Sequence, residues 1–118
     1  YCGVCDREMP PRSHHCVLCK RCVLVREHHC FFLGTCIGGN NLKSFCQLLF
    51  FISSGCLLAL ILCLRYLNLV HLSLAFGFFI MELNVVVVGF VASTSFLAWH
   101  VFLICTGLTS YEFYTKKL

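Results

Sequence analysis

Seven of the eleven cysteines in this chain and four of its six histidines fall within the first 36 residues. The run Cys2, Cys5, His14, His15, Cys16, Cys19, Cys22, His28, His29, Cys30 and Cys36 offers eleven candidate metal donors. Thiolate sulfur and imidazole nitrogen are the donors of structural zinc, and two tetrahedral sites consume eight of them. Three are therefore surplus. Two of the surplus, His28 and Cys30, sit two residues apart beside the carboxylate of Glu27. A thiol left outside the metal shells is free to act as a nucleophile, so the chemistry is to be sought there.

Disulfides are the competing use of so many cysteines in a short chain. Against them stand the Cys-x2-Cys spacing, which puts two sulfurs on one metal, and the histidines interleaved with the thiols. Zinc-bound thiols imply a reducing compartment, so the segment is expected to face the cytosol. Neighbouring side chains in extended backbone point to opposite sides, so His15 and Cys16 are expected to serve different ions. That suggests interleaved sites, Cys2, Cys5, His15 and Cys22 for one and Cys16, Cys19, His29 and Cys36 for the other. The spacing by itself leaves the partition open.

Glu27-His28-x-Cys30 has the parts of an activated nucleophile. An imidazole accepts the thiol proton, and a carboxylate holds that imidazole in the required tautomer. A Cys3His shell is closed and leaves no position for Lewis-acid work, so zinc would be scaffolding here. The alternative is that Cys30 is a spare ligand and His28 its neighbour.

The elements that must position these groups are membrane helices. Residues 45–64 form an uncharged apolar stretch of twenty, long enough at ~1.5 Å per residue to cross one bilayer. A second stretch runs from about Val85 to Leu108, and the apolar segment Leu72 to Met81 reads as interfacial or as an extension of the second helix. The sequence thus divides into a cysteine-rich module at 1–44, a span at 45–67, a non-cytosolic loop at 68–83, a span at 84–108 and a tail at 109–118. Six Lys/Arg precede the first span and Lys116 and Lys117 follow the second, with only Arg65 between them. Two crossings with both ends cytosolic satisfy that bias and three do not. Residue 1 is Tyr rather than Met, and the chain reads as a piece of something longer. Cys30 lies fifteen residues before the first span, with Phe31, Phe32 and Leu33 to anchor it at the interface.

The formal net charge is +4 with neutral thiols, and two zinc ions with six thiolates bring it to about +2. Arg7, Arg12, Lys20, Arg21, Arg26 and Lys43 either offset the thiolates or attract anionic headgroups and phosphate-bearing substrates. Inside the spans, His100 reads as a neutral histidine bonded to a neighbouring helix, or as one near the membrane edge beside Trp99, rather than a site, and Ser93-Thr94-Ser95 as small-residue helix packing. A metal transporter is a poor reading, because the spans hold no carboxylate cluster. Nothing points to nucleic acid.

The order Cys-x2-Cys, Arg-Ser-His-His-Cys-x2-Cys-x2-Cys-Val, His-His-Cys, Cys-Ile-Gly and Asn, followed by two spans and Thr109-Ser110-Tyr111-Glu112, resembles the DHHC-type protein S-acyltransferases over nearly the whole chain. The resemblance implies an all-α membrane fold with a small zinc-stapled module of short hairpins and loops, set between the second and third of four helices. The two spans here would be the third and fourth. It implies the ligand partition given above and two structural zinc ions. It also implies a two-step reaction, in which Cys30 takes a long-chain acyl group from acyl-CoA as a thioester and passes it to cysteines of membrane-associated proteins. His28 would be the general base and Glu27 its orienting acid. Members are found mostly on Golgi and endoplasmic reticulum membranes.

Five positions depart from the family pattern. The usual Asp is Glu27, a shift of the carboxylate by about 1 Å, and misplacement on that scale costs ~100-fold in rate. Phe31-Phe32 replaces Pro-Trp, Thr35 replaces Asn, and Ser110 replaces the second Thr of Thr-Thr-x-Glu while keeping the hydroxyl. From these departures comes the competing expectation of a catalytically impaired, zinc-stapled membrane adaptor.

Overall fold

A computed structural model of the chain describes residues 1–70 and 76–115. Four three-residue strands come first: β1 (His14–Cys16), β2 (Arg21–Val23), β3 (His28–Cys30) and β4 (Thr35–Ile37). They are followed by helices α1 (Leu42–Val70), α2 (Phe76–Thr106) and α3 (Ser110–Thr115). The chain divides into two compact units, Tyr1–Phe45 with Val101–Leu118, and Cys46–His100.

In the first unit the strands pair as two antiparallel hairpins, β1 with β2 and β3 with β4. The registers match: His15 opposes Cys22 in one, and His29 opposes Cys36 in the other. Strands this short cannot hold together by ladder hydrogen bonds alone, so their stability must come from what crosslinks them. The buried side chains are few and small, among them Cys16, Cys36 and Ile37 from the hairpins with Thr109 and Leu103 from the C-terminal segments.

Entry into α1 is set by Asn41, whose Oδ1 accepts from the Gly38 N–H at 2.9 Å while its Nδ2 donates to the Cys36 carbonyl at 3.1 Å. The Phe45 N–H then bonds the Asn41 carbonyl at 2.9 Å, the first helical turn. The turn out of α2 is equally defined. Gly107 takes φ 71°, its N–H reaches the Ile104 carbonyl at 3.2 Å, and the Leu108 N–H reaches the Leu103 carbonyl at 3.1 Å. That pair of bonds is a Schellman stop, which requires a left-handed residue and so favours glycine.

The helical segments Leu42–Leu67 and Phe76–Thr106, which supply the second unit, are long and apolar enough to cross a membrane, with mean hydropathies of 2.4 and 2.0. Only 11% and 6% of their most apolar windows are buried among the described residues, far less than in core helices of a water-soluble domain. The Ser53 hydroxyl donates to the Ser93 hydroxyl at 2.9 Å, and a Cβ at Gly89 would stand 3.2 Å from Cys56 Sγ. Small residues and a buried hydroxyl pair are how helices approach each other in lipid. His100 is buried, and its Nδ1 lies 2.8 Å from the Phe96 carbonyl one turn back. That bond lies within its own helix.

Helix α2 starts at Phe76 and carries Glu82 and Asn84 within it, so Phe76–Met81 forms the extension of the second helix that the sequence allows for this segment. The Asn84 amide folds back onto the Ile80 carbonyl at 2.8 Å, so a polar side chain satisfied by its own helix does not interrupt it. The remainder of the Leu72–Met81 segment, His71, Lys116 and Lys117 lie outside the described residues.

Candidate metal centres and reactive cysteine

Alternation along each strand sorts the donors. In β1, His15 and Cys16 face opposite ways, and in β3 His29 faces away from His28 and Cys30. His15 Nδ1 comes within 3.3 Å of Cys5 Sγ, 3.7 Å of Cys22 Sγ and 3.8 Å of Cys2 Sγ, with Cys5 and Cys22 sulfurs 3.5 Å apart. His29 Nδ1 repeats the pattern, at 3.3 Å from Cys19, 3.7 Å from Cys16 and 3.7 Å from Cys36, with Cys19 and Cys36 sulfurs 3.6 Å apart. In each group the four donor atoms all lie within 4.8 Å of one another.

These distances test the fit of a metal. One ring nitrogen offers one proton or one lone pair and cannot hydrogen-bond three sulfurs at once. A tetrahedral zinc ion, with bonds of about 2.3 Å to sulfur and about 2.0–2.1 Å to nitrogen, sets sulfur–sulfur edges near ~3.8 Å and sulfur–nitrogen edges near ~3.6 Å. The observed sulfur–nitrogen distances, 3.3–3.8 Å, lie on both sides of their value, and the sulfur–sulfur distances, 3.5 and 3.6 Å, fall 0.2–0.3 Å short of theirs. Burial, reinforced by the neighbouring Cys2 and Cys5 sulfurs, pushes the Cys22 thiol up to about 12. Burial with Cys16 and Cys19 does the same to Cys36. Such crowded thiols cannot all ionise unless a cation sits among them, and both clusters fit one.

Cys30 belongs to neither cluster. It is 8% exposed, closes β3, and pairs with Thr35 across the hairpin. His28 shares its face of the strand, two residues away, and stacks edge-on to Phe45 at 5.5 Å between ring centroids. On the other face, the His29 ring meets Phe31 edge-on at 5.2 Å.

Glu27 is buried, at 5% exposure, and its Oε2 accepts the Ser110 backbone N–H at 2.7 Å. The segment that supplies this donor is itself fixed. Thr109 Oγ1 accepts the Glu112 N–H at 3.2 Å, and Glu112 Oε2 accepts the Thr109 N–H at 2.8 Å, a reciprocal capping box at the start of α3. Glu112 also grips Arg12, with Nε on Oε1 and Nη2 on Oε2 both at 2.6 Å, while Nη2 reaches the Gly107 carbonyl at 2.9 Å. The Arg12 guanidinium holds the Glu112 carboxyl down at about 2. Tyr111 lies over His14 with ring centroids 3.8 Å apart.

Residues 1–117 match the family model described as DHHC palmitoyltransferase. The chain belongs to the DHHC palmitoyltransferase family. It is 32% identical, over an aligned length of 123 residues, to Palmitoyltransferase PFA3 of Candida albicans, covering 99% of this chain and 33% of that protein. It is 37% identical over 51 residues to Probable protein S-acyltransferase 13 of Arabidopsis thaliana, covering 43% of this chain and 17% of that protein. The chain therefore spans a third or less of the length of these relatives.

Within the family frame, two features of the site go beyond the motif residues. Arg12 is engaged by Glu112 and Gly107, so it leaves the group of cations open to headgroups or phosphates; nothing in its local sequence marks a partner a hundred residues away. The second feature was legible. Each ligand of the second cluster lies fourteen residues after its counterpart in the first, Cys2 and Cys16, Cys5 and Cys19, His15 and His29, Cys22 and Cys36. The module is one metal-binding unit written twice with overlap, a repeat that a self-comparison of the sequence reveals.

Proposed function

We propose that this chain carries the reaction centre of a protein S-acyltransferase in which Cys30 is the nucleophile, His28 its base and Glu27 the acid that orients His28. The observation that carries this reading is that Cys30 stands apart from both donor clusters while sharing a strand face with His28. The proton of the Cys30 thiol passes to His28, and the sulfur attacks the thioester carbonyl of a long-chain acyl-CoA. The carbon–sulfur bond to coenzyme A breaks, and the departing thiolate takes the proton back from His28. A cysteine thiol of a membrane-associated protein then loses its proton to His28 and attacks the Cys30 thioester; the carbon–sulfur bond to Cys30 breaks, and the Cys30 thiolate takes that proton from His28, which restores the free cysteine. Anchoring of Glu27 by the Ser110 N–H supports its part as a fixed orienting group.

Zinc is the ion assigned to both clusters, by Cys2, Cys5, His15 and Cys22 and by Cys16, Cys19, His29 and Cys36. It would supply rigidity to hairpins too short to stand alone, and no open coordination position. The zinc module faces the cytosol, where acyl-CoA is available and thiols stay reduced, on Golgi or endoplasmic reticulum membranes.

Incubation of the full-length protein with a clickable acyl-CoA tests the reading. Hydroxylamine-sensitive label on wild type that Cys30→Ser abolishes is the expected result. Label that persists in Cys30→Ser, or a wild type with two bound zinc ions and no label, overturns it, and the latter outcome leaves a zinc-stapled adaptor.

A further inference from the structure

The fourteen-residue repeat does not stop at the second cluster. Adding fourteen to Cys16 gives Cys30, and adding fourteen to Cys19 gives Leu33. The backbone follows the same arithmetic. Cys2 pairs with Arg7, Cys16 with Arg21 and Cys30 with Thr35, each across five residues of chain. The residue before each pairing closes takes positive φ at corresponding positions, Asp6 at 48°, Lys20 at 51° and Gly34 at 62°. The Lys20 N–H bonds the Val17 carbonyl at 3.3 Å, and fourteen residues on the Gly34 N–H bonds the Phe31 carbonyl at 3.3 Å. The tips alike expose apolar side chains, Val4 in the first, Val17 in the second, and Phe31 and Phe32 in the third, the last pair at 78% and 100% exposure. Residues 30–34 are a third turn of the same build as the two that carry Cys-x2-Cys.

We propose that Leu33 is the residue that keeps Cys30 free of metal: it occupies the second-ligand position of a third cysteine turn whose first ligand is the reactive thiol. This rests on the reading of Cys30 as the nucleophile. In the second repeat the matching pair, Cys16 and Cys19, brings both sulfurs into one four-donor cluster within 4.8 Å. A thiol at position 33 would stand in the same relation to Cys30, and a dithiol at that separation captures soft ions that a single thiol does not hold. The continuation of the repeat is empty of donors, since fourteen beyond His29 is Lys43 and fourteen beyond Cys36 is Phe50. Position 33 is thus where a single change gives this turn the Cys-x2-Cys pair of the other two. The role of Leu33 is specificity between acyl carbon and metal, and it asks that the side chain carry no thiol or imidazole donor.

Phenylarsine oxide is the probe, because its arsenic(III) condenses with two neighbouring thiols to give one dithioarsonite and one water, with no change of oxidation state. Zinc-loaded full-length protein is treated with it and the adduct is mapped by peptide mass. Leu33→Cys is expected to gain one arsenical bridging positions 30 and 33, and to lose at least tenfold of its acyl-enzyme label after treatment, with recovery on adding a competing dithiol. Phe32→Cys, whose thiol is one residue out of phase, is expected to gain no bridged adduct, and Leu33→Ser to label within a few-fold of wild type. A bridge that forms equally in Phe32→Cys, or is missing in a zinc-loaded Leu33→Cys, overturns the proposal. Should Leu33→Cys lose its structural zinc, Leu33→His against Leu33→Gln decides: added zinc must suppress acyl-enzyme at a concentration at least tenfold lower in the histidine variant, and equal sensitivity overturns the assignment. Absence of acyl label on wild type would sink the catalytic reading alone, since the arsenical bridge is read without it.

Discussion

The Ser110 backbone N–H donates to Glu27 Oε2 at 2.7 Å, joining residues 83 positions apart in sequence. Both are buried, Glu27 at 5% and Ser110 at 7% exposure. A buried carboxylate needs donors, and this one is met by an amide at the start of a capped helix whose own geometry is fixed by Thr109 and Glu112. Glu27 has one methylene more than the family's aspartate, and its carboxylate ends on the backbone rather than on a side chain of the Thr-Ser-x-Glu segment.

Ser110→Pro tests that bond with little other disturbance. Ser110 is the first residue of α3, where proline suits the backbone and the lost N–H is not needed by the helix itself. A hydrogen bond to a charged group is worth about 1.5–3 kcal/mol, so the variant is expected to form acyl-enzyme roughly ten- to hundredfold more slowly. Zinc content should stay at two per chain. Ser110→Ala, which keeps the N–H, should remain within a few-fold of wild type in the same single-turnover assay.

The Arg12–Glu112 pair predicts a pH signature. The guanidinium lowers the Glu112 carboxyl from 4.5 to about 2, with side-chain exposures of 42% for Arg12 and 13% for Glu112. A depressed folded pKa means the stabilisation is complete above 4.5 and is lost only as pH falls toward 2. A double-mutant cycle with Arg12→Ala and Glu112→Ala, read by thermal melting, is therefore expected to give a favourable coupling of about 1 kcal/mol that is the same at pH 7 and pH 5.5. A coupling that vanishes between those two values would mean that Glu112 titrates as an ordinary carboxylate.

How much of this was readable beforehand depends on the range of the signal. The hairpins and the two apolar helices follow from local features, ligand spacing in one case and twenty or more uncharged residues in the other. The sorting of His15 from Cys16 and of His29 from Cys30 follows from strand alternation, which the sequence reading used for the first pair. Arg12 was opaque because arginine in a basic module gives no hint of which carboxylate it will meet. The donor to Glu27 was opaque for a deeper reason: every residue but proline carries a backbone N–H, so composition cannot single out that of Ser110. The helical extension that starts at Phe76 reflects tolerance of single polar residues in a long apolar helix, where Asn84 bonds its own backbone. The fourteen-residue repeat was present in the spacing throughout, and it reaches Leu33.

Metal removal should separate the two compact units. The strands of the first unit are three residues each and carry both donor clusters, so ions held there would staple the hairpins and couple metal binding to folding. The helices of the second unit are held by their own backbone bonds and by contacts such as Ser53 to Ser93. A strong zinc chelator added to the full-length protein in detergent is expected to release two ions per chain and abolish acyl-enzyme formation. Far-ultraviolet circular dichroism should retain most of its helical signal. Collapse of the helical signal along with the metal would show that the hairpins and helices fold as one.

Gly38 and Gly39 make the last case, because they are adjacent and differ only in what surrounds them. A Cβ on Gly38 would lie 2.7 Å from the Leu24 carbonyl oxygen and 2.8 Å from Val23 Cγ1, inside contact distance of a backbone atom that cannot swing away. A Cβ on Gly39 meets its nearest neighbour, Val25 Cβ, at 3.4 Å. Gly38 follows β4 directly, and its N–H is the one that Asn41 accepts at the entry to α1, so displacement there moves both the second hairpin and the helix. Overpacking of this kind costs about 1–3 kcal/mol. Gly38→Ala is therefore expected to lower the melting temperature by several degrees and to release zinc from Cys36 and its partners at lower chelator concentration. Gly39→Ala should change neither by much, and equal effects of the two substitutions would place the constraint in glycine's backbone freedom instead of in the close approach to Leu24.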